Sequence, residues 1–190
     1  MNYNVLKRQK YEIRARLKEI RALISAKTRN NYAENIARRL LSLEEVTSAR
    51  TIFIYISCAS EVDTHTLIDH FLKEGKILSA PKIINSDHMI ATRFTRWEDL
   101  APGQLGILTP AGNHPYDSEI DVAITPGLGF TTGGYRLGYG RGYYDQWFAA
   151  HRTTKKIALA YEAQVIDEIP VSENDIPVDM IVTERRVINI

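Results

Sequence analysis

Residues 126–145 read PGLGFTTGGYRLGYGRGYYD, a composition suited to binding an anion. Seven of the chain's eleven glycines lie here: Gly127, Gly129, Gly133, Gly134, Gly138, Gly140 and Gly142. Glycine weakens regular structure through its backbone entropy. Such density therefore predicts a backbone that approaches a ligand closely and turns its amides toward negative charge. Arg136 and Arg141 add positive charge, and Asp145 closes the segment with an oxygen donor suited to magnesium on phosphates. The spacing is not that of either common nucleotide loop. Gly138, Gly140 and Gly142 space as GxGxG, not GxGxxG, and the lone Gly75–Lys76 pair has Ile77 after it and His70 where a Walker loop needs glycine. The plain alternative is a long surface turn. The arginines, tyrosines and aspartate among the glycines favour binding.

A second basic set lies near the amino terminus. Lys7, Lys10, Arg14, Lys18 and Arg21 recur at helical spacing beside an apolar stripe of Leu6, Ile13, Leu17, Ile20 and Ile24. The two stripes lie roughly 90° apart on a helix over 4–24, so the cations flank the buried seam and can border a cleft. Lys10 and Arg14 are about 6 Å apart along the axis, close enough to reach one polyphosphate. Such stripes are otherwise solvated faces, or arms for nucleic acid.

Two carboxylates stand out elsewhere. Glu61 and Asp63 follow an apolar strand; Asp63 or Thr64 suits a helix N-cap, which leaves Glu61 to face a ligand. Asp175, in SENDIP, reads either as a turn aspartate before Pro177 or as a second carboxylate on a metal held by Asp145. The five histidines and Cys58 show no ligand spacing and read as structural or surface residues. No GxSxG elbow supports a nucleophilic hydrolase.

The elements that position these groups alternate. A second helix is predicted over 29–41. Strands are predicted over 51–56, 77–80, 89–94, 122–125, 157–161 and 180–183, and helices over 64–72 and 144–150. Residues 102–115 read as an irregular connection. The order implies an α/β fold: a mostly parallel sheet flanked by helices, with a basic amphipathic helix at its start. Segments 57–63, 126–145 and 162–164 each follow a strand and are expected to meet at the carboxyl edge of the sheet, where such folds bind ligands.

Bulk properties agree. The chain has 190 residues, suited to a single domain over 1–190, with 44% hydrophobic and 25% charged residues. Its net charge of +1 is not that of a polyanion binder, so no nucleic-acid partner is expected. One cysteine excludes an intrachain disulfide and multi-cysteine zinc sites. The opening MNYNVLKRQK lacks a secretory core, and no apolar run approaches membrane-spanning length. A cytoplasmic protein with no membrane partner is the expectation, and a monomer.

The glycine segment resembles the signature of the 5-formyltetrahydrofolate cyclo-ligase (methenyltetrahydrofolate synthetase) family, through PGLGF at 126–130 and RLGYGRGYYD at 136–145. The resemblance spans the chain. Lys10 to Arg14 is similar to that family's KxxxR element, 57–63 to its strand-end segment with Glu61, Gln164 to a glutamine after a late strand, and SENDIPVDMIVTE at 172–184 to its closing motif. Thr109 departs from the acidic residue many members carry there. The resemblance implies a fold like that of sugar-phosphate isomerases and deaminases, and ATP-dependent closure of 5-formyltetrahydrofolate to 5,10-methenyltetrahydrofolate with release of ADP and phosphate. It implies ATP contacts from Lys10, Arg14, Arg136, Leu137, Gly138, Tyr139, Gly140, Arg141, Gly142, Tyr143 and Tyr144. Folate contacts would come from Ile56, Glu61, Tyr139, Gly140, Arg141, Gly142 and Tyr143, and Mg2+ would sit on Asp145 and Asp175. Arg141 is the candidate for stabilising the transferred phosphoryl group, and Glu61 for orienting the folate. The alternatives are a divergent ATP-binding paralogue, a sugar-phosphate enzyme on the same fold, and a nucleic-acid-binding module.

Overall fold

The computed structural model describes residues 3–86, 88–103 and 106–190. Two helices open the chain, α1 (Tyr3–Leu23) and α2 (Ala26–Leu40), followed by a short α3 (Glu44–Ser48). The alternating part then runs β1 (Thr51–Ile54), α4 (His65–Lys73), β2 (Ile77–Ile83), β3 (Met89–Phe94), β4 (Leu100–Pro102), β5 (Leu108–Pro110) and β6 (Val122–Thr125). The glycine segment contributes β7 (Gly129–Phe130) and β8 (Arg136–Leu137). After it come α5 (Tyr143–Ala150), β9 (Lys155–Leu159), β10 (Met180–Val182) and β11 (Val187–Asn189).

Seven strands form one sheet in the order β11-β10-β9-β6-β1-β2-β3. The five central strands are parallel, and the edge strands β3 and β11 are antiparallel to their neighbours. Side chains alternate across the sheet. Ile52, Ile54, Val122 and Ile124 face a core shared with α2 and α4, while Phe53 and Ala123 face α5. Phe53 stacks on Trp147 of α5 with ring centroids 4.4 Å apart. From β1 the chain steps to β2 on one side, and later returns as β6 on the other. The crevice outside the carboxyl ends of β1 and β6 is therefore a topological switch point, the place where open α/β sheets bind ligands.

Several elements differ in extent from the sequence expectation. α2 starts at Ala26 because Ser25 caps it, its Oγ accepting from the Thr28 amide at 3.2 Å. β2 continues through Pro81 to Ile83. It pairs with β1 only over Ile77 to Ser79, so proline's missing N–H removes no bond on that side. Within the connection expected to be irregular, β5 pairs with β4, and Thr109 Oγ1 donates to the Pro81 carbonyl at 2.9 Å. Thr109 thus ties this hairpin to the sheet. Among the described residues no helix is long and apolar enough to cross a membrane.

α1 lies against the carboxyl edge of the sheet. Its Leu17 is fully buried with Leu137 and Ile169, flanked by Ile13, Ile20 and Ile166. A Cβ on Gly129 would stand 2.4 Å from Leu17 Cδ1, so this glycine allows helix and loop to touch.

Candidate active site

Three cations of α1 reach three different segments. Lys10 forms an ion pair with Asp175 on the loop before β10, and both side chains are largely buried. Arg14 Nε donates to the Gly138 carbonyl at 2.8 Å, and its guanidinium stands against Gly140, where an added Cβ would meet Arg14 Cζ at 3.4 Å. Arg21 is only 7% exposed; its Nε donates to Ser60 Oγ at 2.9 Å and its Nη1 to the Tyr139 hydroxyl at 3.0 Å. Lys7 and Lys18 are exposed. The basic stripe is therefore split: one edge is seated in the protein and the other faces water.

The glycine segment also divides. Its first part is pinned by Gln164, which is 2% exposed; its Nε2 donates to the Gly127 and Leu128 carbonyls at 2.9 and 3.0 Å, and its Oε1 accepts from the Tyr161 amide. The short β7–β8 hairpin follows. Beyond Leu137 the backbone emerges, and Gly140, Arg141 and Gly142 are exposed. The amides of Gly138, Gly140 and Gly142 hold no hydrogen bond to another described residue. Gly140 sits at φ +105°, a conformation that favours glycine.

Arg136 is nearly buried beneath this exposed part. Its Nη2 pairs with Asp145 Oδ2 at 3.2 Å and its guanidinium lies 5.1 Å from the Tyr144 ring centroid, while Nε is buried with no partner among the described residues. Asp145 Oδ1 accepts from the Ile176 amide at 3.3 Å, so its carboxylate abuts the backbone next to Asp175. Asp175 Oδ2 accepts from Lys10 and from the Ser172 amide at 2.7 Å. Burial works against the Asp175 charge, but these two donors outweigh it and hold its pKa below the ordinary carboxylate value. Burial lowers the pKa of Arg14, with Asp175 opposing, and a guanidinium remains charged at neutral pH.

The loop after β1 supplies the other wall. Glu61 Oε1 accepts from the Tyr139 hydroxyl, and Oε2 from the Cys58 amide at 3.0 Å. Tyr161 donates to the Glu61 carbonyl at 3.1 Å. Burial and the Glu61 charge push the Cys58 thiol up to about 11, so it stays protonated and is no nucleophile at neutral pH. Burial, then Glu61, raises the Tyr139 phenol well above its usual value. Thr64 occupies the N-cap position of α4, but its side chain makes no cap bond to the helix, contrary to the sequence expectation, and both it and Asp63 are taken up locally. Asp63 Oδ1 lies 2.7 Å from His65 Nδ1, and Thr64 Oγ1 donates to the Tyr55 carbonyl at 2.8 Å.

Residues 6–184 match the family model described as the 5-formyltetrahydrofolate cyclo-ligase family. The chain belongs to this enzyme family. It is 31% identical over 189 residues to the 5-formyltetrahydrofolate cyclo-ligase of Mus musculus, covering 90% of this chain and 92% of that one. It is 27% identical to the Escherichia coli (strain K12) enzyme of the same name, covering 90% and 98%. The solved structure of Aquifex aeolicus 5,10-methenyltetrahydrofolate synthetase is 32% identical and superposes with a TM-score of 0.82, covering 95% and 92%.

Within this cyclo-ligase fold, the residues singled out in the sequence have different surroundings. Lys10, Arg14, Arg136, Gly138, Tyr139, Gly140, Asp145 and Asp175 are gathered around one stretch of loop. Glu61 joins them through Tyr139. Ile56 and Leu137 are buried in packing clusters, which leaves only their backbones to face a ligand. Tyr144 packs against Phe53 and Phe148. Tyr143 is half-buried, with its hydroxyl 3.4 Å from the Asn85 carbonyl. Arg141 is exposed at the tip. Sequence reasoning missed the individual part played by Arg21 and its partner Ser60. The available signal was helical phase: Arg21 lies about 20° from Lys10 and 40° from Leu17 around the helix.

Among the described residues no group of three or more His, Cys, Asp or Glu is gathered for a metal. What remains is Asp145 beside the backbone next to Asp175, each already facing a cation. Two carboxylates fit an ion that takes one or two of them and completes its shell with phosphate oxygens and water.

Proposed function

We propose that the chain closes the ring of 5-formyltetrahydrofolate to give 5,10-methenyltetrahydrofolate, using ATP and releasing ADP and phosphate. The supporting observation is the seating of Arg14 against Gly138 and Gly140 of an exposed loop, where the amides of Gly138, Gly140 and Gly142 have no partner among the described residues, with Lys10 held on Asp175 and Glu61 on the facing wall. Positive charge and unengaged N–H groups suit a triphosphate. A fixed carboxylate suits the hydrogen-bond donors of a reduced pterin.

The formyl oxygen is a poor leaving group, so the γ-phosphoryl group of ATP is transferred to it first. Positioning and charge neutralisation dominate such transfers. The amides of Gly138, Gly140 and Gly142 cradle the phosphates, while Lys10, Arg14 and Arg136 balance their charge. Exposed Arg141 swings onto the transferred group and stabilises its charge. Asp145 and Asp175 would hold magnesium, which supplies charge neutralisation on the phosphate oxygens when bound. Glu61 orients the folate, whose second ring-forming nitrogen then attacks the activated carbon as phosphate departs. The Tyr143 ring lies beside the same loop and packs on substrate.

The test is spectroscopic: methenyltetrahydrofolate absorbance is followed with formyl folate and magnesium, with and without ATP. Product is expected only when ATP is present. Product formed equally well without ATP contradicts the mechanism. ATP hydrolysis with no folate signal points to a relative with another substrate.

A further inference from the structure

We propose that Arg21 is a positioning residue for the folate end of the site, holding Glu61 in a fixed orientation through Tyr139 and Ser60. The inference rests on the cyclo-ligase reading above and goes beyond it.

Arg21 is a nearly buried cation that, among the described residues, pairs with no carboxylate directly. Its two bonded acceptors are neutral oxygens, Ser60 Oγ and the Tyr139 hydroxyl. A guanidinium only donates, so the Tyr139 oxygen must accept from Arg21 and direct its own proton elsewhere. That proton goes to Glu61 Oε1. The direction of the chain is thus forced, from Arg21 through Tyr139 to Glu61. The other Glu61 oxygen is held by the Cys58 amide. Both oxygens are therefore tethered, one from its own loop and one from the glycine loop across the switch point.

Position along α1 adds the second argument. Arg21 lies seven residues beyond Arg14 on the same face, about 10 Å along the axis. Arg14 meets the glycine loop at Gly138 and Gly140, and Arg21 meets it again at Tyr139 while also gripping Ser60 after β1. One rigid helix thereby sets the distance between the phosphate end and the carboxylate that faces folate. The two bonds use Nε and Nη1, a planar fork that lysine does not possess.

The experiment measures both Michaelis constants for Arg21→Ala, Arg21→Lys, Tyr139→Phe and the double variant Arg21→Ala/Tyr139→Phe. Arg21→Ala is expected to raise the folate constant roughly tenfold, the size of a lost charge-assisted hydrogen bond, with the ATP constant within about twofold. Arg21→Lys falls between Arg21→Ala and the unsubstituted chain. Tyr139→Phe reproduces the rise, and the double variant is no worse than Arg21→Ala by more than about twofold, because the two residues act in series. An unmoved folate constant, equal rises for both substrates, or effects that multiply would each overturn the proposal. Tyr139 is half exposed, so its phenylalanine variant decides the matter even if Arg21→Ala fails to fold. Failure of the unsubstituted chain to make methenyl product defeats the cyclo-ligase reading and this inference with it. Full activity with an insensitive folate constant removes Arg21 alone.

Discussion

The two halves of the glycine segment share a composition and differ in what their glycines do. In the first half, residues 126–130 are buried, and the turn between β7 and β8 meets the backbone just before β10 at Gly134. Gly134 in that turn has φ +85°, donates to the Thr131 carbonyl, and accepts from the Val178 amide at 3.0 Å. A Cβ there would lie 2.6 Å from the Val178 carbonyl oxygen. In the second half, Gly140 is exposed, and the nearest group to its missing side chain is the Arg14 guanidinium. Gly127, Gly129 and Gly134 let the protein close on itself, whereas Gly140 leaves backbone open for an anion. Glycine content therefore marks a close approach without saying whether the other party is the chain or a ligand.

Substitutions that separate the halves sharpen this contrast. The largest effect is expected from Gly134→Ala, which combines a left-handed backbone with a backbone clash. Thermal denaturation should show a loss of about 3 kcal/mol, roughly 6 to 12 °C in Tm, with the ATP Michaelis constant of the folded protein unchanged. A smaller stability loss, about 1 to 2 kcal/mol, is expected for Gly140→Ala, accompanied by a several-fold rise in the ATP constant because relief of the strained positive φ shifts the exposed backbone amides of the loop. If Gly134→Ala altered ATP kinetics and Gly140→Ala did not, the division would be reversed. The smallest effect concerns the acid limb of stability. Asp175 has a lowered folded pKa, so the Lys10–Asp175 contribution is present above the unfolded value of about 4 and is lost as pH falls through the folded value. Lys10→Met should flatten the fall of Tm between about pH 5 and pH 3; an identical slope would show that the pair carries no linkage.

Much of this arrangement was legible in the residues. The β-branched and aromatic run at 51–56, of which β1 takes up 51–54, the apolar run at 122–125, the periodicity of α1 and the glycine spacing all lead to the observed elements and to the sheet edge where they meet. The missed elements have local causes. α3 has five residues, and β7, β8 and β11 two or three each, too few for a period to register; their pairing is decided by neighbours. The β4–β5 hairpin lies in a stretch whose glycines and prolines signal only a turn. In the site, composition points to a ligand along the whole glycine segment and cannot show that Leu17 and Val178 press against its first half. Treating the five cations of α1 as one stripe hid that Lys10, Arg14 and Arg21 lie within about 40° of one another beside Leu17, whereas Lys7 and Lys18 turn outward. The pairing of Lys10 with Asp175 joins positions 165 residues apart and is set only by the fold.

The claim on which the account turns is that the seated edge of α1 and the exposed half of the glycine segment bind the triphosphate together. Its most direct test is the ATP Michaelis constant of Arg14→Ala, measured beside the folate constant and Tm of the same variant. The account predicts a rise in the ATP constant of roughly tenfold or more, with Tm nearly retained and the folate constant little changed. A folded Arg14→Ala protein with an unaltered ATP constant would contradict it.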